Sequence, residues 1–248
     1  MSDSIFFIDE DISKAKTLPS KFYLNQEYFD LSINKIFKKS WQIITDINYI
    51  GKNNIFPFIL LKDTLNEPLF LSIDNNKINC LSNVCTHRGN ILCESTKKCN
   101  TIKCQYHGRT FNLNGKLKVA PGFDDAHNFP TDNDNLSNCK IMQWKQFILT
   151  GINPAIDLNN IFKDIDKRLN FYPFKDLVYN NLDSKEYILD ANWALYCENY
   201  LEGFHVPFVH PGLKDDIKLN SYKTILLENG VLQITKSSND EDSINKED

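Results

Sequence analysis

The chain has 248 residues, of which 42% are hydrophobic and 24% charged, as is ordinary for a globular protein. A formal net charge of −4 and the lack of a basic block argue against a nucleic-acid partner or a polybasic membrane anchor. No apolar run approaches the ~20 residues that span a bilayer. The acidic start of the chain does not read as a signal peptide, so a cytoplasmic location is expected.

The beginning of the chain predicts a leader, a helix and then short strands. Residues 1–24 read as irregular, with Pro19 as a breaker. Residues 26–39 predict a helix capped by Asn25, because their apolar side chains recur with helical spacing. From Trp41 onward the chain predicts β-strands, which are Trp41–Ile44, Ile55–Leu61, Leu69–Ile73, Ile78–Leu81, Thr110–Leu113, Lys116–Val119 and Ile141–Thr150. The turn residues 74–76 and Asn114-Gly115 favour hairpins within this series.

The later part of the chain predicts mixed structure. Helices are expected over residues 156–170 and 191–204, the second ended by Pro207. Short strands are expected at residues 186–189 and in two pieces around Gly230. The polar tail from about residue 236 has no periodicity and is expected to be disordered.

Two short motifs mix cysteine with histidine. They are Cys85-x-His87 and Cys104-x-x-His107, separated by residues 88–103. Two Cys and two His form the ligand set of a Rieske [2Fe–2S] centre, in which the cysteines hold one iron and the histidines the other. Gly89 and Gly108 let the backbone turn closely around a metal. A Cys2His2 zinc site is the main alternative, although zinc sites more often keep like ligands together.

The seven cysteines and five histidines of the chain fit metal binding better than a disulfide framework. Four of the five histidines lie in two clusters, and the second cluster comprises Glu202, His205 and His210. On a helix, Asn199, Glu202 and His205 would share a face, while Pro207 requires a bend before His210. Two histidines with the carboxylate position still open are the start of a 2-His-1-carboxylate facial triad for non-heme Fe(II).

The motifs Cys-Thr-His-Arg-Gly and Cys-Gln-Tyr-His-Gly at residues 85–89 and 104–108 resemble those of Rieske non-heme iron oxygenases, the aromatic-ring-hydroxylating dioxygenase α subunits. The resemblance implies that Cys85 and Cys104 bind one iron and that His87 and His107 bind the other. The family usually has Trp after the second His-Gly. Arg109 stands there in this chain, which is expected to alter the surface beside the cluster.

The second cluster resembles the catalytic motif of the same family, in its choline and carnitine monooxygenase-like branch. By this resemblance His205 and His210 bind a mononuclear iron, and Asn199 and Glu202 are catalytic. Glu202 would bridge to the cluster histidine of a neighbouring subunit and carry electrons across the interface. The family's third iron ligand is an Asp far downstream, so the chain is expected to be a truncated form. Asp215 and Asp216 lie near His210 but match no part of the motif.

The implied fold is α+β, an all-β Rieske domain followed by the N-terminal part of a helix-grip (START-like) catalytic domain. The expected boundaries are a helical segment at residues 1–40 that packs with the catalytic domain, the Rieske domain at 41–150, and the partial catalytic domain at 151–248. Gly151 to Pro154 is the expected junction between the last two.

The resemblance implies an oxygenase α subunit that holds a [2Fe–2S] cluster and Fe(II). A separate NAD(P)H-dependent reductase or ferredoxin would supply electrons, and O2 would hydroxylate a small organic substrate. Electron transfer between subunits implies a homotrimer or a larger oligomer. Glu202 gives a slight preference for a quaternary ammonium compound over an arene. The alternatives are a Rieske electron carrier, a catalytically incomplete homologue, or a zinc-stabilised binding module.

Overall fold

The computed structural model describes residues 6–227 and 229–238. It divides into two compact units. The β unit comprises Ile33–Asp157 and Pro173–Ser184, and the helical unit comprises Met1–Ser32, Leu158–Tyr172 and Lys185–Asp248. Within the described residues, no helix is both long enough and apolar enough to cross a membrane.

The β unit contains nine strands and one short helix. The strands are β1 (Gln42–Asp46), β2 (Ile55–Leu60), β3 (Glu67–Asp74), β4 (Lys77–Ser82), β5 (Ile102–Lys103), β6 (Thr110–Phe111), β7 (Leu117–Val119), β8 (Asn138–Trp144) and β9 (Phe147–Gly151). A six-stranded antiparallel sheet has the order β1-β9-β8-β4-β3-β2, and a three-stranded sheet has the order β5-β6-β7. The mixture of these sheets with the helices described below confirms the predicted α+β class.

Both predicted hairpin turns are confirmed. In the first, Asp74 pairs with Lys77, and the two residues between them, Asn75 and Asn76, have φ of 48° and 66°. Asparagine tolerates this left-handed backbone, which matches the twist of the flanking strands. In the second, Gly115 has φ of 84°, and a Cβ there would lie 2.9 Å from a methyl carbon of Leu81. Glycine is therefore required both by the turn and by the packing beneath it.

The single strand predicted over Ile141–Thr150 is wrong, because β8 and β9 form a hairpin there. Lys145 and Gln146 make the turn, and Lys145 has φ of 54°. The side-chain amide of Gln146 donates to the carbonyl of Phe174 at 2.6 Å and so fixes the turn within the β unit. No glycine, asparagine or proline marks this turn in the sequence, so its usual signal is missing.

The β unit has two buried cores. One lies against the main sheet and includes Leu69, Leu71 and Ile148. The other includes Phe70, Leu81 and Phe111, and it also contains the two predicted ligand cysteines, Cys85 and Cys104. The loops that carry those cysteines are thus anchored in apolar packing.

The predicted helices are present but shorter than expected, and short helices that were not predicted accompany them. The helices are α1 (Ser20–Leu24), α2 (Gln26–Lys35), α3 (Ile47–Ile50), α4 (Asn159–Arg168), α5 (Trp193–Tyr200), α6 (Val206–Val209) and α7 (Pro211–Asp216). The leader is therefore not wholly irregular, because α1 lies within it. Asn25 caps α2 as predicted, since its side chain accepts the N–H of Glu27 at 2.8 Å. The helix ends at Lys35, and a 3-10 turn follows at Phe37–Lys39.

One expectation for the helical unit is corrected and another is confirmed. Residues 186–189 form no strand, and Tyr187, Ile188 and Leu189 are exposed, so no neighbouring strand pairs with this β-prone run. A hairpin of β10 (Lys223–Leu227) and β11 (Gly230–Ile234) confirms the two predicted strands near Gly230.

The start of the predicted disordered tail is ordered. The N–H of Lys218 donates to the carbonyl of Lys236, and the N–H of Ser238 donates to that of Asp216, each at 2.8 Å. The rest of the tail, residues 239–248, lies outside the described residues, as do residues 1–5 of the leader.

Candidate iron sites

The first ligand loop, Cys85–Asn90, is closed by its own backbone. The N–H of Gly89 donates to the carbonyl of Cys85 at 3.0 Å, and the N–H of Cys85 donates to the carbonyl of Asn90 at 2.8 Å. Gly89 has φ of 73°, which glycine adopts without strain. His87 therefore lies at the tip of a tight loop whose base carries the thiol.

The second ligand loop, Cys104–Arg109, repeats this closure. The N–H of Gly108 donates to the carbonyl of Cys104 at 3.1 Å, and the N–H of Cys104 donates to the carbonyl of Arg109 at 2.8 Å. Gly108 has φ of 76°. Although the histidine follows its cysteine at different spacings, both loops close over the same number of residues and present the same pair of groups.

The two thiols lie inside the protein and face each other. Cys85 and Cys104 are 3% and 2% exposed and share a side-chain hydrogen bond. Burial raises the pKa of the Cys85 thiol. Burial opposes ionisation of Cys104 as well, but hydrogen bonds from the N–H groups of Tyr106 and His107, together with those from the side chains of Cys85 and Asn90, lower the pKa of that thiol. At Cys104 the environment therefore favours a thiolate, the form in which cysteine binds a metal.

The two imidazoles lie at the surface above the thiols. The rings of His87 and His107 are 4.8 Å apart between centroids and inclined at 68°. His107 is exposed, and the centroid of its ring lies 3.8 Å from that of Tyr106. Two buried sulfurs and two outer nitrogens fit a [2Fe–2S] cluster, in which one iron takes each kind of ligand. The structure therefore brings the four residues together as a pair of thiols and a pair of imidazoles, and their role as ligands stays a prediction.

Arg109 is the last residue of the second loop, and its side chain is buried rather than part of the surface beside the cluster. Its side chain is 5% exposed, and its terminal nitrogen contacts the hydroxyl of Thr86 at 3.1 Å and a carboxylate oxygen of Asp134 at 3.2 Å. The ion pair with Asp134 compensates for burial of the charge. Sequence reasoning missed Thr86 and Asp134, because only tertiary packing brings them to the ligand loops.

The second cluster is built around the one-turn helix α6. His205 precedes its first residue, His210 follows its last, and their ring centroids are 5.2 Å apart. Pro207 lies in the first turn, where its missing N–H breaks no helical hydrogen bond. The bend predicted before His210 is therefore present, and α6 brings the two rings together.

Glu202 holds His205 in one orientation. Its Oε1 lies 2.5 Å from Nδ1 of His205, and its Oε2 accepts the N–H of Phe204. The hydrogen bond with His205 lowers the pKa of the Glu202 carboxyl, so the group is ionised at neutral pH. With Nδ1 engaged, Nε2 of His205 remains available to a metal, the arrangement that outer-shell carboxylates give to metal-binding histidines.

The helix face predicted for Asn199, Glu202 and His205 is wrong, because α5 ends at Tyr200. Gly203 follows, and a Cβ there would lie 2.6 Å from the hydroxyl oxygen of Tyr222. The close approach of the Tyr222 ring thus requires glycine at position 203, and glycine is a residue that destabilises a helix. Asn199 is exposed on α5, and no hydrogen bond described for the site involves it.

A third metal ligand is not evident beside His205 and His210. Within residues 6–227 and 229–238, no three His, Cys, Asp or Glu side chains are grouped so as to hold one ion. Asp215 and Asp216 are exposed on α7 and do not complete a triad. The described residues therefore bring together two histidines, His205 and His210, with Glu202 hydrogen-bonded to the first of them.

Comparisons with known proteins match both clusters. Residues 40–130 match the family described as Rieske [2Fe-2S] domain, and residues 174–234 match the catalytic domain of the ring hydroxylating alpha subunit. The first match contains the four ligands of the loop pair. The second contains Glu202, His205 and His210.

Among curated relatives, choline monooxygenase of Arabidopsis thaliana, a chloroplastic protein, is 26% identical over 90% of this chain and 55% of its own length. The carnitine monooxygenase oxygenase subunit of Acinetobacter pittii is 28% identical over 88% of this chain and 59% of its own length. A quaternary ammonium Rieske monooxygenase of known structure superposes on this chain with a TM-score of 0.76 at 25% sequence identity. The match covers 92% of this chain and 63% of the monooxygenase chain. The chain thus spans somewhat over half the length of these relatives.

Proposed function

Because this chain is homologous to Rieske oxygenases of the choline and carnitine monooxygenase type, we propose that it is an oxygenase α subunit that hydroxylates a small organic substrate with O2. One observation carries the proposal: a single chain holds both the closed loop pair and the Glu202–His205–His210 group. An electron carrier needs only the first of these.

The chain would supply all four ligands of one iron centre and two ligands of a second. Cys85, His87, Cys104 and His107 would hold a [2Fe–2S] cluster, and His205 and His210 would supply two ligands to a mononuclear iron. When bound, these centres supply one-electron transfer and activation of O2.

The protein contributes orientation and charge around these centres. Burial keeps Cys85 and Cys104 away from water, while the half-exposed His87 and exposed His107 present an accessible edge to an electron donor. Glu202 fixes the tautomer of His205 by accepting a hydrogen bond from its Nδ1–H, which leaves a lone pair on Nε2. The Glu202 side chain is still 35% exposed, so its oxygens have lone pairs left for a further donor.

That remaining capacity supports the proposed bridge between subunits. Glu202 would accept a hydrogen bond from a cluster histidine of the partner subunit while it still holds its own His205. This arrangement requires a homotrimer or a larger oligomer. Electrons would come from a separate reductase or ferredoxin, and one relative is itself named an oxygenase subunit.

We propose a quaternary ammonium compound as the substrate rather than an aromatic ring. The names of the relatives refer to choline, carnitine and quaternary ammonium compounds, and the glutamate at position 202 agrees with that branch. The cytoplasmic location expected from the sequence stays a prediction, since one relative is chloroplastic.

The alternative is a Rieske electron carrier, and the missing third donor among the described residues favours it. Iron content after anaerobic reconstitution distinguishes the two, because an oxygenase holds about three irons per chain and a carrier about two. A colourless protein that contains zinc would overturn both proposals.

Activity is then tested with NADH, a reductase and O2. We expect O2 consumption to depend on choline, carnitine or γ-butyrobetaine and to yield a hydroxylated product. Naphthalene serves as the aromatic comparison. Two irons per chain without substrate-dependent O2 uptake would establish the carrier instead.

A further inference from the structure

Arg109 contacts both ligand loops at once. Its carbonyl accepts the N–H of Cys104 at 2.8 Å, which closes the second loop. Its guanidinium donates to the hydroxyl of Thr86 at 3.1 Å, and Thr86 lies between Cys85 and His87 in the first loop. A single residue therefore ties together the two loops that carry the cluster ligands.

Aromatic rings shield this guanidinium from water. Its central carbon lies 5.1 Å from the ring centroid of Phe123 and 5.3 Å from that of Phe129. The ring of Phe123 also packs edge-on against His87, with centroids 5.8 Å apart. A charge enclosed by apolar groups acts more strongly on its neighbours than one in water, because less solvent screens it.

The carboxylate that pairs with Arg109 cancels only part of its charge. The side chain of Asp134 is 19% exposed, against 5% for Arg109, so water screens the carboxylate more than the guanidinium. Asp134 also accepts hydrogen bonds from Thr131 at 2.9 and 3.0 Å. Moreover, Nε of Arg109 is buried without a partner among the described residues. A positive potential therefore remains on the side of the ligand loops.

We propose that Arg109 raises the reduction potential of the [2Fe–2S] cluster, through its buried charge and without ligating iron. In the step concerned, one electron passes from an external donor to the cluster, where one Fe(III) becomes Fe(II). The cluster gains one negative charge, which a fixed positive charge nearby stabilises. The inference requires the cluster at Cys85, His87, Cys104 and His107, but it does not require oxygenase activity.

The test is a dithionite titration of the full-length chain with redox mediators, followed by visible absorption and electron paramagnetic resonance. For Arg109→Met we expect the equilibrium constant for one-electron reduction to fall at least tenfold, a decrease of 59 mV or more. Arg109→Lys, which keeps the charge, should retain most of the wild-type potential. Asp134→Asn, which removes the opposing charge, should shift the potential upward.

Arg168→Met is the matched control. Arg168 also pairs with an aspartate, Asp164, at 2.8 Å, but it lies on α4 and its side chain is 39% exposed. This variant should leave the potential unchanged. The absorption spectrum reports separately whether each variant still holds its cluster.

Two results would overturn the inference. One is an unchanged potential in a fully loaded Arg109→Met protein, and the other is an equal decrease in the Met and Lys variants, which would indicate a purely structural role. If Arg109→Met does not bind a cluster, the reduction potentials of Asp134→Asn and Arg109→Lys are compared with that of the wild type instead. An unchanged or lower potential in Asp134→Asn would contradict the proposal. Failure to hydroxylate any substrate would affect only the oxygenase proposal.

Discussion

The two predicted iron sites of this chain are built in different ways. In the β unit, each of the two predicted ligand cysteines, Cys85 and Cys104, lies in a loop that is closed by the same two backbone hydrogen bonds and contains a glycine with positive φ. The buried thiols belong to an apolar core. In the helical unit, the two histidines flank a one-turn helix, and Phe204, Phe208 and Val209 around them are 86%, 87% and 61% exposed.

The difference shows how much of each site depends on its own segment. The loop pair obtains its shape from hydrogen bonds within the loops and its packing from strands of the same unit. The second site has one strong local contact, between Glu202 and His205, and otherwise depends on short helices with exposed apolar side chains. We therefore expect substitutions to affect the two sites independently and to different extents.

The largest effect is expected from Cys104→Ser. Loss of a buried thiolate ligand should abolish the cluster, so that the visible absorption disappears and the iron content falls by about two per chain. His205→Ala should instead leave the cluster spectrum intact and remove only the mononuclear iron. Cys197→Ser, at an exposed free cysteine on α5, is the control and should change neither. Loss of the cluster in His205→Ala would show that the two sites are not independent.

Glu202→Gln is expected to weaken the second site alone. Loss of an outer-shell partner typically reduces metal affinity 10- to 100-fold, which a competitive chelator titration measures. The cluster absorption should not change. An affinity equal to that of the wild type would mean that the contact with His205 does not orient the ligand.

The same contact gives the second site a pH dependence. The hydrogen bond between Glu202 and His205 lowers the pKa of the Glu202 carboxyl from its ordinary value of 4.5. The stabilisation is therefore fully present above that ordinary pKa and is lost as the pH falls through the lowered value. Glu202→Gln should remove this part of the acid transition in a pH titration of unfolding.

The sequence predicted the ligand loops well because their chemistry is local. Cysteine, histidine and glycine at fixed spacing suffice to define the loop pair, and the Asn-rich and Asn-Gly turns suffice for the hairpins. The burial of Arg109 was not predictable, since it depends on Phe123, Phe129 and Asp134.

The end of α5 was missed for a similar reason. Periodicity continues past Tyr200, and only the ring of Tyr222 explains why Gly203 is needed where the helix has stopped. The expected domain boundaries, the role of Asn199 and the bridge between subunits stay predictions.

Gly203→Ala tests the packing on which the second site depends. The added Cβ would overlap the ring of Tyr222, and such overpacking typically costs about 1–3 kcal/mol of unfolding free energy. Chemical denaturation measures the change, with retained cluster absorption as evidence that the β unit is intact. Gly212→Ala is the matched control, because a Cβ at that position meets nothing within 4 Å. Equal stability of the two variants would contradict the close approach of Tyr222.

The smallest effect is expected where α5 begins. The side chain of Asn192 accepts the N–H of Ala194 at 2.9 Å as a helix cap, and its amide donates to the carbonyl of Tyr23 at 3.0 Å. Asn192→Ala should therefore cost about 1 kcal/mol of unfolding free energy. Asn199→Ala, at an exposed position on the same helix, should change stability by less than about 0.5 kcal/mol. A loss of O2 uptake in Asn199→Ala at unchanged stability would then be a catalytic effect. A loss of O2 uptake in Asn192→Ala in proportion to its loss of stability would instead show that α5 supports the second site.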